Sequence, residues 1–207
     1  MRIFLFSMVS TLCLIIGMHS GYARWHSNGG QTVLLPPVED TRPEAVAMVQ
    51  RTLPNDLERL AVDASIHFDL PPWLVLNVIF YESSWNPAAV SHAGAVGLMQ
   101  IIPESAGVDV MEALYGVRGV PKADALLDPE LNIVFGAKYL HLLYHRHFGH
   151  VEDETLRWGL TLAAYNWGVG NVRRHLVADS PDAFFANLMA HAPAETQRYV
   201  LVVGGQI

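Results

Sequence analysis

Asp69-Leu70-Pro71-Pro72-Trp73-Leu74-Val75-Leu76-Asn77-Val78-Ile79-Phe80-Tyr81-Glu82-Ser83-Ser84 is the stretch on which the fold turns. Pro71 and Pro72 suit the first turn of a helix, where a missing N–H costs nothing. From Trp73 to Tyr81 nearly every position is apolar. A helix of this kind has no polar face to offer water and belongs in the middle of a core. Trp85-Asn86-Pro87 stops it, because the residue before a proline is pushed out of helical conformation. The helix therefore ends by carrying one carboxylate, Glu82, to the edge of the core, with polar Ser83 and Ser84 beside it. A carboxyl partly withdrawn from water keeps its proton toward neutrality, the condition for a general acid. Periodicity alone leaves a competing reading, a helix-end glutamate turned into solvent.

Helical patterns surround this element. Asn55 can cap a preceding helix with Glu58 three residues on, and Leu57, Leu60, Ala61, Ala64 and Phe68 share its apolar face. Further helices are expected over Val96–Ile102, Pro129–Phe148, Glu154–Asn166, Val169–Val177, Pro181–Ala190 and Ala194–Val203. In the long one Ile133, Ala137, Leu140, Tyr144 and Phe148 keep helical spacing, and Leu156, Leu160, Ala163 and Trp167 do so in the next. No alternating strand pattern of useful length is present. The expected architecture is all-α, with one core and no internal repeat.

The 207 residues are 51% hydrophobic and only 16% charged, which excludes a disordered polymer. A formal charge of −7 argues against a nucleic-acid partner, which would call for a broad basic surface. The long apolar run lies at the start. Arg2, the apolar stretch Ile3–Met18 and Gly21-Tyr22-Ala23 read as an export signal over residues 1–23, cleaved after Ala23, and an uncleaved anchor is the alternative. Cys13 is the only cysteine and sits inside that run after Leu12, where a lipidation signal would need a small residue. After cleavage the chain holds no thiol, is more acidic by the loss of Arg2, and suits a periplasm, peripheral to the membrane. Residues 24–51, with Asn28-Gly29-Gly30 and Pro36-Pro37, read as a linker or extended arm. Residues 52–207 remain for a single domain.

Two further segments bear on chemistry. Ser91-His92-Ala93-Gly94-Ala95-Val96-Gly97-Leu98-Met99-Gln100 combines glycines that allow close backbone approach with an amide in an apolar setting. Ala164-Tyr165-Asn166 closes a helix before Gly168 and Gly170, placing a phenol and an amide at a turn. In order and spacing, three blocks resemble the SLT-domain lytic transglycosylases: ESSWNPAAVSHAGAVGLMQIIPESA from Glu82 to Ala106, AAYNWGVGNV from Ala163 to Val172, and APAETQRYV from Ala192 to Val200. LLDPELNIVFGAKYL, from Leu126 to Leu140, is similar to that family's connecting helix. The resemblance covers about Asn55 to Val203 and implies a goose-type-lysozyme-like domain with a substrate cleft that cleaves peptidoglycan. The stretch from Gly107 to Ala125 is similar to the membrane-bound lytic transglycosylase C branch, whose lipidation signal is missing. Trp167 and Val169 stand where many relatives have alanine and proline.

By that resemblance Glu82 matches the catalytic acid/base, and Ser91, Gln100, Tyr165 and Asn166 match substrate-binding positions. Gly97, Leu98 and Met99 would shape the cleft wall, and Glu195 would line the cleft or buttress it. The implied chemistry needs no cofactor. Glu82 protonates the oxygen between N-acetylmuramic acid and N-acetylglucosamine, and the substrate's N-acetyl group assists. The Glu82 carboxylate then takes the proton of the muramoyl C6 hydroxyl, which attacks C1 to leave a 1,6-anhydro sugar. Tyr165 would orient Glu82. Two other readings stay open: a lysozyme-like hydrolase using water, and a wall-binding or assembly component of a secretion or conjugation machine. Nothing in the sequence places Glu104 or Asp109 opposite Glu82. His141, His145, His147 and His150 crowd one helix end, but Lys138 shares their face and no H-E-x-x-H motif is present, so a solvated face is expected rather than a metal site. Ser91 and His92 are neighbours in a loop and form no triad. Arg173, Arg174 and Arg198 follow the second and third blocks and could give the substrate side a positive potential.

Overall fold

The computed structural model describes residues 56–205 and, for the backbone alone, three short segments before them. The expected export signal and arm, residues 1–51, lie outside the described residues apart from those segments. They are strands: β1 (Cys13–Ile16), β2 (Ala23–His26) and β3 (Thr32–Leu34), in an antiparallel sheet that pairs Leu14 with Trp25 and Trp25 with Val33. No strand is expected there from the sequence. The runs are only three or four residues long, too short for an alternating pattern to register.

The body is helical. Among the described residues there are eight α-helices: α1 (Asp56–His67), α2 (Pro72–Ser83), α3 (Val108–Tyr115), α4 (Pro129–His141), α5 (Glu154–Trp167), α6 (Val169–His175), α7 (Pro181–His191) and α8 (Ala194–Val203). The starts are set by chemistry visible in the sequence. Asp128 and Asp153 accept hydrogen bonds at 2.8 Å from the N–H groups of Leu131 and Leu156, and Ser180 accepts one from Ala183. Pro72, Pro129 and Pro181 each occupy a first turn. Helix α5 lies at the centre, against α6, α7 and α8, while α1 packs on α2 and α4. In α2 Leu74, Val75, Val78 and Ile79 are fully buried, as an all-apolar helix demands, but Phe80 opens outward at 63% exposure.

Three elements differ from expectation. Val96–Ile102 is not a helix. Val96 and Ile101 exchange two 3.0 Å backbone hydrogen bonds as an antiparallel bridge closing a tight turn. Gly97 (φ +78°) and Gln100 (φ +48°) adopt left-handed conformations that a helix cannot contain. Helix α3, preceded by a π-helical turn over Pro103–Gly107, falls where no helix was expected, because only Val110 among its eight residues is fully buried and the apolar stripe is too short to stand out. The long helix from Pro129 changes hydrogen-bonding period at Leu142 and finishes as a π-helical segment through His147.

Candidate active site

Helix α2 ends abruptly. Ser84 (φ +50°) and Trp85 (φ +65°) are consecutive non-glycine residues in left-handed conformation, and the Ser84 N–H closes the helix on the Phe80 carbonyl. Strain of this kind persists where surrounding packing imposes it. It turns the chain away immediately after Glu82, so the side chain stays at the core's edge. Burial is the largest influence on that carboxyl and pushes its pKa up to about 7; the Glu195 carboxylate of α8 adds to the rise, and the Tyr199 hydroxyl opposes it. The Tyr199 hydroxyl is buried and completes no hydrogen bond of ordinary geometry, though it is close enough to act on Glu82. Tyr165 is enclosed too: burial first, then the nearby Glu82 and Tyr139, push its phenol well above its usual pKa.

The tyrosine roles differ from those expected. Tyr165 donates its hydroxyl proton to the Met99 carbonyl at 2.8 Å, so it cannot also donate to the Glu82 carboxylate. Tyr199, its ring edge-on to Tyr81 at 4.9 Å and parallel to Tyr165 at 6.4 Å, is the phenol that acts on Glu82. It lies inside the quoted third block, and its signal was a tyrosine on the buried face of α8.

Beside this carboxyl is a groove of about 260 Å³, lined by Gln100, Ile101, Ile102, Ser105, Ala106, Tyr139, Tyr165, Asn166, Trp167 and Gly168. Glu82 is not part of that wall; Tyr165 links the two. Both amide hydrogens of Gln100 are spent on the Ala89 and Gly97 carbonyls, at 3.2 and 2.8 Å, which leaves its oxygen as an acceptor. Asn166 is the complement. Its amide oxygen accepts from Thr196 at 2.7 Å, leaving NH₂ as a donor. Trp167 stacks on His175 with ring centroids 5.5 Å apart.

Asn132 was not singled out in the sequence, yet it is fully buried and organises the turn that carries Gln100. Its oxygen accepts from the Met99 N–H at 2.7 Å, and its nitrogen donates to the Val96 and Leu126 carbonyls at 2.8 Å each. An amide between two apolar positions of a helix was the available signal. Leu98 and Met99 are completely buried and lie behind this turn rather than on the groove surface, and Gly97 is packed against Asn132. Ser91 lies apart from the groove and ties the preceding turn together, its Oγ accepting from the Ala95 N–H at 3.0 Å. Glu195 is exposed and reaches Glu82 through its charge. Among the described residues no three His, Cys, Asp or Glu side chains are grouped to hold a metal ion. The histidines at the end of α4 point to other partners: His141 Nδ1 meets the Phe68 carbonyl at 2.9 Å.

Residues 60–183 match the family model described as the transglycosylase SLT domain. The chain belongs to the SLT transglycosylase family. This SLT chain is 33% identical over 202 residues to membrane-bound lytic murein transglycosylase C of Sodalis glossinidius, covering 86% of the chain and 56% of that protein. It spans about half the length of the curated relatives it matches. Among solved structures it is similar to an inactive mutant of lytic transglycosylase Slt from Pseudomonas aeruginosa, with a TM-score of 0.57 and 26% identity over 77% of this chain and 26% of that one. It is also similar to the 70 kDa soluble lytic transglycosylase of Escherichia coli, with a TM-score of 0.56 and 30% identity over 70% of this chain and 22% of that one. The all-helical body of this SLT domain is thus of the lysozyme-like kind.

Proposed function

We propose that the protein is a lytic transglycosylase that cleaves the β-1,4 bond between N-acetylmuramic acid and N-acetylglucosamine in peptidoglycan. The observation that carries the reading is the Glu82 carboxyl, held near half protonation at neutral pH by desolvation, beside a groove with one free amide acceptor and one free amide donor. Glu82 as the acid donates its proton to the glycosidic oxygen, the step general acid catalysis contributes most to. The substrate's N-acetyl oxygen supports C1 while the bond breaks. The Glu82 carboxylate then removes the proton from the muramoyl C6 hydroxyl, and that oxygen closes on C1 to give the 1,6-anhydro product. One carboxyl serves twice, so a second carboxylate across the cleft is not required. A pKa near 7 suits both directions of transfer. Tyr199 biases Glu82 toward its anionic form and Glu195 toward its acid form, a balance set by two residues of one helix. Gln100 and Asn166 offer opposite hydrogen-bonding polarity to the sugar's amide and hydroxyl groups. Ser91 supports the first of these through its turn.

The same reading places the protein in the cell envelope, exported by the segment 1–23 and acting in the periplasm, with residues 24–51 as the arm before the domain and glycan strands as partner. Service to a secretion or conjugation machine is compatible with it and is tested by pull-down with residues 24–51 deleted. Mass analysis of fragments released from purified sacculi tests the chemistry. Wild type is expected to release anhydro-muropeptides and Glu82→Gln at least about a hundredfold less. Products one water heavier would assign a hydrolase instead, and undiminished release by a folded Glu82→Gln would remove Glu82 from the mechanism.

A further inference from the structure

Three segments that wall the groove run on to one corner of the molecule. Tyr139 of α4 is in the wall, and the π-helical extension of that helix ends at His147. Gly168 is in the wall and caps α6, which carries Arg173. Ser105 and Ala106 are in the wall, and one turn beyond them Asp109 acts electrostatically on both Tyr139 and His147. At this corner Arg173 Nη2 lies 3.3 Å from His147 Nδ1.

A protein of net charge −7 has here gathered cations without pairing them. Among the described residues neither Arg173 nor Arg146, which adjoins His147, has a carboxylate within salt-bridge distance. With Nδ1 accepting from Arg173, the imidazole carries its proton on Nε2, so the pair presents N–H donors and no acceptor. Burial, then Arg173 and Arg146, push the His147 pKa down, while Asp109 opposes them. A planar guanidinium beside a second N–H donor matches the two oxygens of a carboxylate. The sugar backbone that would fill the groove is uncharged in its ring hydroxyls and amides; the acidic groups of a glycan strand are carried on its peptide branches.

We propose that the Arg173–His147 corner is a carboxylate-binding subsite that receives an acidic group of the peptide attached to the glycan strand in the groove. The proposal rests on the lytic transglycosylase reading for its substrate, but its test does not depend on turnover. In a Glu82→Gln background, binding of a disaccharide-peptide fragment to the full chain is measured by calorimetry, alongside the same fragment with its carboxylates amidated. Arg173→Gln is expected to weaken binding of the acidic fragment about threefold, the size of an exposed charge-assisted pair, and to leave the amidated one unchanged. No loss with the acidic fragment, or equal loss with both, would overturn the proposal. So would binding of phosphatidylglycerol vesicles that is lost in Arg173→Gln while fragment binding is kept, since that assigns the corner to lipid headgroups. If the acidic fragment binds as expected and the wild type cleaves no glycan, the subsite stands and the assigned reaction fails.

Discussion

At Glu82 the folded state works against its own stability. A carboxyl with an ordinary pKa of 4.5 that folds into a site where it titrates near 7 destabilises the protein as pH rises between those values, because the unfolded chain ionises first. The penalty is absent below the lower value and complete above the upper, at about 3 kcal/mol. Glu82→Gln, which cannot ionise, should therefore unfold at a higher temperature than wild type at pH 8 and at nearly the same temperature at pH 4, as differential scanning calorimetry would record. Its loss of cleavage should be about a hundredfold or more. The two neighbours on α8 should move the alkaline limb of kcat/KM in opposite directions. Tyr199 lowers the Glu82 pKa, so Tyr199→Phe should carry the limb to higher pH; Glu195 raises it, so Glu195→Gln should carry the limb to lower pH. Shifts of one sign in both variants would contradict this arrangement.

Among the elements, the turn from Val96 to Ile101 depends most on a single side chain. Asn132→Ala would take the side-chain partner from the Met99 N–H and the Leu126 carbonyl in a buried place and leave the Val96 carbonyl with only the Ile101 N–H, and about 3 kcal/mol of stability should be lost in urea unfolding. Gly97→Ala should be comparably damaging, because the position is left-handed and an added Cβ would lie 2.6 Å from the Leu126 carbonyl oxygen. At the same scale the limits of sequence reasoning are visible. Helices were expected to start at Pro129, Glu154 and Pro181, as they do behind the caps Asp128, Asp153 and Ser180, and Ala194–Val203 was expected with the bounds it has. Val96–Ile102 was misread because buried turn residues and buried helix residues are equally apolar; what separates them is φ at Gly97 and Gln100 and the reach of Asn132 across 36 positions of chain to the Val96 carbonyl. Local pattern left Glu82 open between a desolvated acid and a helix-end residue turned into solvent, and it was the resemblance of its block that pointed to the acid. The partner tyrosine was not legible, because choosing Tyr199 over Tyr165 requires knowing that Met99 already takes the Tyr165 proton.

Across the whole molecule, the helical elements pack on one another and β1 lies against α2. Every buried apolar side chain among the described residues lies between Ala61 and Val203, and the central helix α5 packs against α4 and the elements after it, including the π-helical segment, while Tyr165 reaches back to Met99. The groove likewise draws its walls from residues 100 to 168. A protein shortened to residues 52–207 should therefore keep its cooperative unfolding, with a midpoint within about 4 °C of the full chain, the shift that roughly 1 kcal/mol produces in a domain of this size. It should also cleave soluble glycan strands at an undiminished rate while no longer leaving the cytoplasm, since the proposed export signal is gone. Thermal unfolding, muropeptide release and cell fractionation examine the three parts separately. A shortened protein that unfolded well below the full chain would show that the contact of β1 with α2 contributes to the stability of the helical body.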